Sequence, residues 1–275
     1  MLGRTVTIPA RPERIAALSP TTVEYVYAVD RYSRTRTTSV KYPPEAGQAK
    51  DVGSAYQPNF ELVAAEKPDI IIADSVLQPQ LETNLTALSV PVVYAGAQNY
   101  EDVKMGLRLV GAVLGEPKAG EQAARGLDSV AESLRRQLPA QKLTVLILNG
   151  TATDFFAAKP ESYVGSMLAL LGAVNVAAGQ PDVGQFPGYT KLSLETILAS
   201  RPDVILAITA GPPGSTTIGD SLSNDPAWAD VPAIKNKRVS EIDSDLYLRA
   251  PGPRANQGVG HLAELLYPDL FLTPQ

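Results

Sequence analysis

The sequence predicts an α/β protein of two similar lobes, each a mostly parallel sheet flanked by helices, bridged by one long helix. Three observations predict it: a long amphipathic helix near the middle, a repeated helix–turn–strand segment on either side, and short apolar runs alternating with helical stretches. The helix runs from Glu116 to Leu138. Pro117 suits its first turn, where a missing N–H costs nothing. Ala119, Ala123, Leu127, Val130, Leu134 and Leu138 fall in one stripe, leaving Glu121, Arg125, Asp128, Glu132, Arg135 and Arg136 for the other faces. About 22 residues at ~1.5 Å each make a rod of roughly 33 Å.

The repeat aligns without a gap. Asn59 to Asp69, followed by Ile70-Ile71-Ile72-Ala73, matches Ser193 to Asp203, followed by Val204-Ile205-Leu206-Ala207. Shared are Glu61 and Glu195, Ala65 and Ala199, the bases Lys67 and Arg201, and a Pro-Asp pair before the apolar run. Each copy reads as a short helix, a turn and a buried strand. The expected division is residues 1–114 as the N-terminal lobe, 115–139 as the linking helix and 140–275 as the C-terminal lobe.

The 275 residues suffice for two cores, and 44% hydrophobic with 19% charged residues are globular values. A net charge of −5 argues against nucleic acid, which requires a basic surface. No apolar run reaches the ~18 residues of a membrane span. The opening MLGRTVTIPARPERI has no apolar core of a secretory signal, as expected also of an exported chain read after its signal. The absence of cysteine removes disulfides, thiolate metal sites and cysteine nucleophiles.

In chain order, Arg14 to Leu18 is a first strand, and Ser19 or Thr21 caps a helix carrying Val23, Val26, Tyr27 and Val29. Arg34 to Val40 reads as a polar edge strand. Tyr42-Pro43-Pro44-Glu45 and Val52 to Pro58 read as loops. Pro91 to Tyr94 is a strand, after which Asn99 and Asp102 suggest a capping box for a helix bearing Val103, Leu107, Val110 and Leu114. The second half restarts with the strand Leu143 to Leu148. A loop from Asn149 to Lys159, a helix from Ser162 to Leu171 and a long loop from Gly179 to Tyr189 that holds Phe186 follow. Thr209 to Gly214, with Pro212 and Pro213, breaks the chain. A late strand spans Arg238 to Ile242, and Arg254 to Leu266 is a closing helix.

Catalytic motifs are missing. The single histidine, His261, sits among leucines on the closing helix and reads as structural or surface. No GxSxG, HExxH, Walker A or GxGxxG sequence occurs, so neither an enzyme nor a metal site is expected. Asp243 and Asp245 read as a turn after a strand. In doubly wound sheets ligands bind beyond the carboxyl ends of the strands. The loops there carry Tyr56, Tyr94, Phe155, Phe156, Tyr189 and Tyr247, with Arg249 and Arg254 nearby. Aromatic faces and arginine forks suit a bulky, partly anionic small molecule.

The ordered segments RPERIAALSPTTVEYVYAV, YPPEA, VGSAYQPNFELVAAEKPDIIIA, VPVVYAG, YVGSMLALLGAVNVA, KLSLETILASRPDVILA, DPAWADVPAIKNKRV and GPRANQGVGHLAELLYPDL resemble the helix-linked class of ABC-transporter substrate-binding proteins. Members carry ferric siderophores, haem, cobalamin and some metal oxyanions. The resemblance implies two α/β lobes joined by one helix with ligand held between them, no covalent cofactor, and a monomer. It also implies an extracytoplasmic location, periplasmic or as a lipoprotein. Glu61 and Glu195 match the glutamates that dock one lobe each onto permease arginines; a two-fold partner asks for the same charge twice. Ser54, not tyrosine, follows Gly53, which disfavours haem ligation, and the tryptophan of cobalamin binders is missing from that loop; the only tryptophan is Trp228. The QPNFE segment resembles the form seen in siderophore binders, so the resemblance implies a ferric siderophore as cargo, with cobalamin (or haem) as the alternative. A chelatase-like enzyme on a two-lobe fold and a stand-alone sensor are the rival readings.

Overall fold

The structure is a computed structural model that describes residues 3, 5–183, 187–212 and 214–271; Phe186 and Pro213 lie outside the described residues. Two compact units are present. The first holds the chain up to Asp128 together with Arg249–Ala255, and the second holds Ser129–Leu248 and the chain from Asn256 onward.

In the first unit the elements run β1 (Ile15–Ala17), α1 (Pro20–Ala28), β2 (Ser33–Arg36), β3 (Lys50–Asp51), α2 (Phe60–Ala65), β4 (Ile70–Asp74), α3 (Glu82–Ala87), β5 (Val92–Ala95) and α4 (Tyr100–Val113). Helix α5 (Pro117–Arg135) begins there and ends in the second unit. The sheet is wholly parallel in the order β3-β2-β1-β4-β5, the doubly wound arrangement whose winding reverses between β1 and β4. Ala16, Leu18, Val52, Val63, Ile71, Ala73, Leu85 and Tyr94 form a core on this sheet.

The second unit continues with β6 (Thr144–Gly150), β7 (Phe155–Ala158), α6 (Tyr163–Leu170), β8 (Val174–Asn175), β9 (Tyr189–Thr190), α7 (Leu194–Ser200), β10 (Val204–Thr209), α8 (Ile218–Asn224), α9 (Pro232–Lys235), β11 (Val239–Glu241), α10 (Ala255–Leu266, from Asn256 in this unit) and α11 (Pro268–Phe271). Its sheet runs β11-β10-β6-β7-β9, with β8 also on β6. The pairs β10–β11, β10–β6 and β6–β8 are parallel, whereas β6–β7 and β7–β9 are antiparallel.

The repeat has one structural meaning in both units. Asn59 caps α2 by accepting from Leu62 N–H, and Ser193 caps α7 by accepting from Thr196 N–H. Lys67 and Arg201 then each adopt φ of 48°, a left-handed turn that redirects the chain toward the sheet. The aspartates seat the neighbouring strand. Asp69 N–H donates to Arg14 C=O at 2.9 Å, while its carboxylate accepts from Glu13 and Arg14 N–H at 3.0 Å each. Asp203 repeats the pattern on Thr144, with its N–H donating and its carboxylate accepting at 2.8 Å each. Carboxylate acceptors make the stronger kind of hydrogen bond.

Four expectations are corrected. The segment after Arg34 is not an edge strand: β2 lies between β1 and β3, and the two-residue β3 forms the edge. Phe155 and Phe156 are not loop residues but the start of β7, which folds back on β6 through a tight turn where Thr151 N–H meets Asp154 C=O at 2.8 Å. Asp102 does not close a capping box on Asn99; its carboxylate accepts from Gln98 N–H instead. The buried stripe of α5 is Gly120, Ala124 and Leu127, one residue on from the expected start. Gly120 is the reason. A Cβ there would lie 2.5 Å from Leu107 C=O, so α4 and α5 meet backbone to backbone.

Candidate ligand site at the strand ends

In the first unit, the reversal point between β1 and β4 is where a doubly wound sheet offers a crevice. Here the chain fills it with its own polar groups. Asp74 ends β4 and is 3% exposed; Ser19, which caps α1 directly after β1, donates its hydroxyl to Asp74 Oδ2 at 2.9 Å. Asp74 Oδ1 accepts from Val76 N–H at 2.8 Å and Leu77 N–H at 3.1 Å. Burial raises the Asp74 pKa, and these donors oppose the rise.

Surface available to a ligand therefore moves outward to the loop tips. Tyr56 is 63% exposed on the loop whose base is closed by a bridge between Gly53 and Pro58. Tyr94 faces the other way, 4% exposed within the core. Arg249 is exposed and begins the segment that joins this unit late in the chain. Arg254 is committed to Glu24 on α1, donating Nε and Nη2 to Oε1 at 2.9 and 2.6 Å, and it covers the Tyr42 ring 4.6 Å from its centroid. This pair fastens residues 249–255 to the first unit, and its guanidinium is a structural fork.

In the second unit, strand alternation sorts the aromatics. Phe155 and Ala157 turn into the core, where Phe155 meets Trp228 edge-on at 6.2 Å. Phe156 and Ala158 take the opposite face, and Tyr189 is paired with Ala158 on the neighbouring β9. Lys191 Nζ lies 4.8 Å from the Phe156 ring centroid and 2.8 Å from Asp154 Oδ1. Burial pushes the Tyr189 phenol up to about 12, so it is a neutral hydrogen-bonding group at physiological pH. Asn149 pairs with Phe156 across β6 and β7, and its side-chain oxygen is buried without a hydrogen-bond partner among the described residues. Sequence reading missed Asn149; an isolated polar residue ending an apolar strand was the only signal.

Tyr247 is fully buried. Its hydroxyl lies 2.9 Å from both Gly258 C=O and His261 Nδ1, which explains the lone histidine as a packing partner. Asp243 accepts from Asp245 and Leu246 N–H at 2.7 and 2.9 Å, the expected turn. Among the described residues no group of acidic or histidine side chains is arranged to hold a metal, and no helix is long and apolar enough to cross a membrane. The structure thus brings together Phe156 and Tyr189 in one unit, and exposes Tyr56 and Arg249 in the other. Tyr94 and Tyr247 are core residues, and Phe155, half-buried, packs against the core of its unit. Glu61 and Glu195 are both exposed in the first turn of their helices, α2 and α7.

The chain belongs to the periplasmic binding protein family, whose model matches residues 15–246. It is 27% identical to an uncharacterized ABC transporter substrate-binding lipoprotein, YvrC, of Bacillus subtilis (strain 168), spanning 97% of this chain and 83% of that protein. It is 29% identical to a vitamin B12-binding protein of Pectobacterium carotovorum subsp. carotovorum (strain PC1), spanning 72% of this chain and 71% of that one. Among solved structures, the periplasmic heme-binding protein RhuT from Roseiflexus sp. RS-1 in apo form superposes with a TM-score of 0.79 at 27% identity, covering 93% of this chain and 98% of that chain.

Proposed function

We propose that the chain is the extracytoplasmic substrate-binding component of an ABC importer, that its cargo is a ferric siderophore, and that Glu61 and Glu195 dock it onto a membrane permease. Membership of the periplasmic binding protein family carries the transport reading. The siderophore reading rests on the chemistry of the exposed groups. Tyr56 and Phe156 offer flat apolar faces, while Arg249 and Lys191 supply positive charge suited to an anionic chelate. Cobalamin is the second reading, favoured by the 29% identity to a vitamin B12-binding protein; Phe156 and Tyr189 would serve a corrin ring as well as a chelate.

Docking is supported by the equivalence of the two glutamates. Each occupies the second position of a helix that begins the repeat, capped in the same way and followed by the same left-handed turn. The paired reversal Glu61→Lys with Glu195→Lys is expected to abolish radio-iron uptake through the cognate permease while the purified protein keeps its ligand affinity. Undiminished uptake contradicts the docking role, and lost ligand binding reassigns these residues to the ligand site.

A further inference from the structure

Gln78 is fully buried, yet it is a long polar side chain in the turn after β4. Every polar atom of its amide has a partner. Oε1 accepts from Asp74 N–H at 2.8 Å, and Nε2 donates to Leu18 C=O and to Ala55 C=O at 2.7 Å each. These partners belong to three different strand-end connections: the one leaving β1, the one leaving β3 and the end of β4 itself. Leu18 and Asp74 are parts of rigid, buried strand ends. Ala55 is buried too, at 5% exposure, but it belongs to the loop between β3 and α2 and lies directly beside the exposed Tyr56.

That loop is tied at its base by the Gly53–Pro58 bridge and by Asn59 N–H donating to Val52 C=O at 2.8 Å. Within the loop, Tyr56 N–H reaches Ser54 Oγ at 3.2 Å and Gln57 N–H reaches Ser54 C=O at 3.3 Å, both local contacts. Among the described residues, the Gln78 amide is a bond from the buried strand ends to the segment that carries Tyr56. A buried amide with all its bonds made is rigid, and losing one exposes the full desolvation cost of the orphaned carbonyl.

We infer that Gln78 is a positioning residue for ligand binding, holding the Ala55–Tyr56 loop at the reversal point of the first sheet so that the Tyr56 ring is preset for cargo. This rests on the reading of Tyr56 as a ligand contact. Preset contacts raise affinity because ordering is not charged to the binding step. Glutamine suits the task because its two ends differ: the acceptor locks onto β4 and the donors reach across to β1 and to the loop.

The test uses the whole chain with two variants. Gln78→Met keeps the shape and removes every hydrogen bond; Gln78→Glu keeps the acceptor for Asp74 N–H and removes both donors. Hydrogen exchange of the ligand-free protein is expected to rise about tenfold at residues 54–57 in both variants, equal to roughly 1.4 kcal/mol of local opening, while α2 and β4 stay protected. Should Gln78→Glu fail to fold, Gln78→Met carries the comparison. Unchanged exchange at 54–57, or a rise shared by the whole first unit, overturns the inference. Affinity for ferrichrome, ferric enterobactin and cyanocobalamin is then measured for Gln78→Met, Tyr56→Ala and the double variant. With a probe that binds, the single losses are expected to match, and the double loss to be no larger than either. Additive losses overturn the inference. Loosened exchange with no effect of Tyr56→Ala on any probe instead sinks Tyr56 as a ligand contact and leaves the clamp standing.

Discussion

Asp74 is enclosed at the end of β4, and burial lifts its carboxyl above the usual carboxylate range although three donors bond to it. A group whose folded pKa exceeds its unfolded value contributes stability fully only below the unfolded value, about 3.9 for aspartate. That contribution is lost as pH rises through the folded pKa. Asp74→Asn keeps an acceptor for Val76 and Leu77 but cannot ionise. In chemical denaturation between about pH 4 and pH 8, the variant's stability relative to the parent is expected to climb with pH, by up to ~1.4 kcal/mol per pH unit. A relative stability that falls with pH contradicts the burial account. Residue-scale detail was only partly legible. Tyr94 lies within a strand, Tyr247 follows the polar Asp243–Asp245 turn and Tyr56 sits in a loop, and nothing local in the sequence distinguishes a phenol that turns inward. Gln78 gave no signal because its three partners are contributed by residues 18, 55 and 74.

Helices α4 and α5 meet through Gly111 and Gly120, and a Cβ on Gly120 would lie 2.5 Å from Leu107 C=O and 3.1 Å from Gly111 Cα. Neither is a flexible side chain that moves aside. Gly120→Ala is therefore expected to destabilise the protein by about 1–3 kcal/mol, overriding alanine's better helix propensity. Gly126→Ala on the same helix, with nothing within 4 Å of its Cβ, provides the control and is expected to be stabilising. Equal effects of the two in thermal denaturation contradict the backbone-contact reading. Elements with strong periodicity or long apolar runs were readable in advance: β4, β6, β10, α4 and the extent of α5. Those of two residues were not, because β3, β8 and β9 are defined by pairing partners rather than by pattern. The repeat was legible as identity of residues, and its reason, aspartates seating β1 and β6 beside β4 and β10, required the hydrogen bonds.

At the scale of the molecule, the α/β class, the two sheets and the family were all present in the sequence order of short motifs. The return of residues 249–255 to the first unit was not, since the Arg254–Glu24 pair that fastens it joins positions 230 apart in the chain. In the proposed reading, specificity falls to Tyr56 and Arg249, which are exposed, and to the half-buried Phe156 and Tyr189. The most direct measurement is a fluorescence titration, with Trp228 as the single tryptophan, against ferric hydroxamate, ferric catecholate, cyanocobalamin and haem at low and high salt. One-to-one binding of a ferric siderophore, weakened by salt where the chelate is the anionic ferric catecholate, is the expected result. Tight, salt-independent binding of cyanocobalamin with no response to any iron chelate would contradict it.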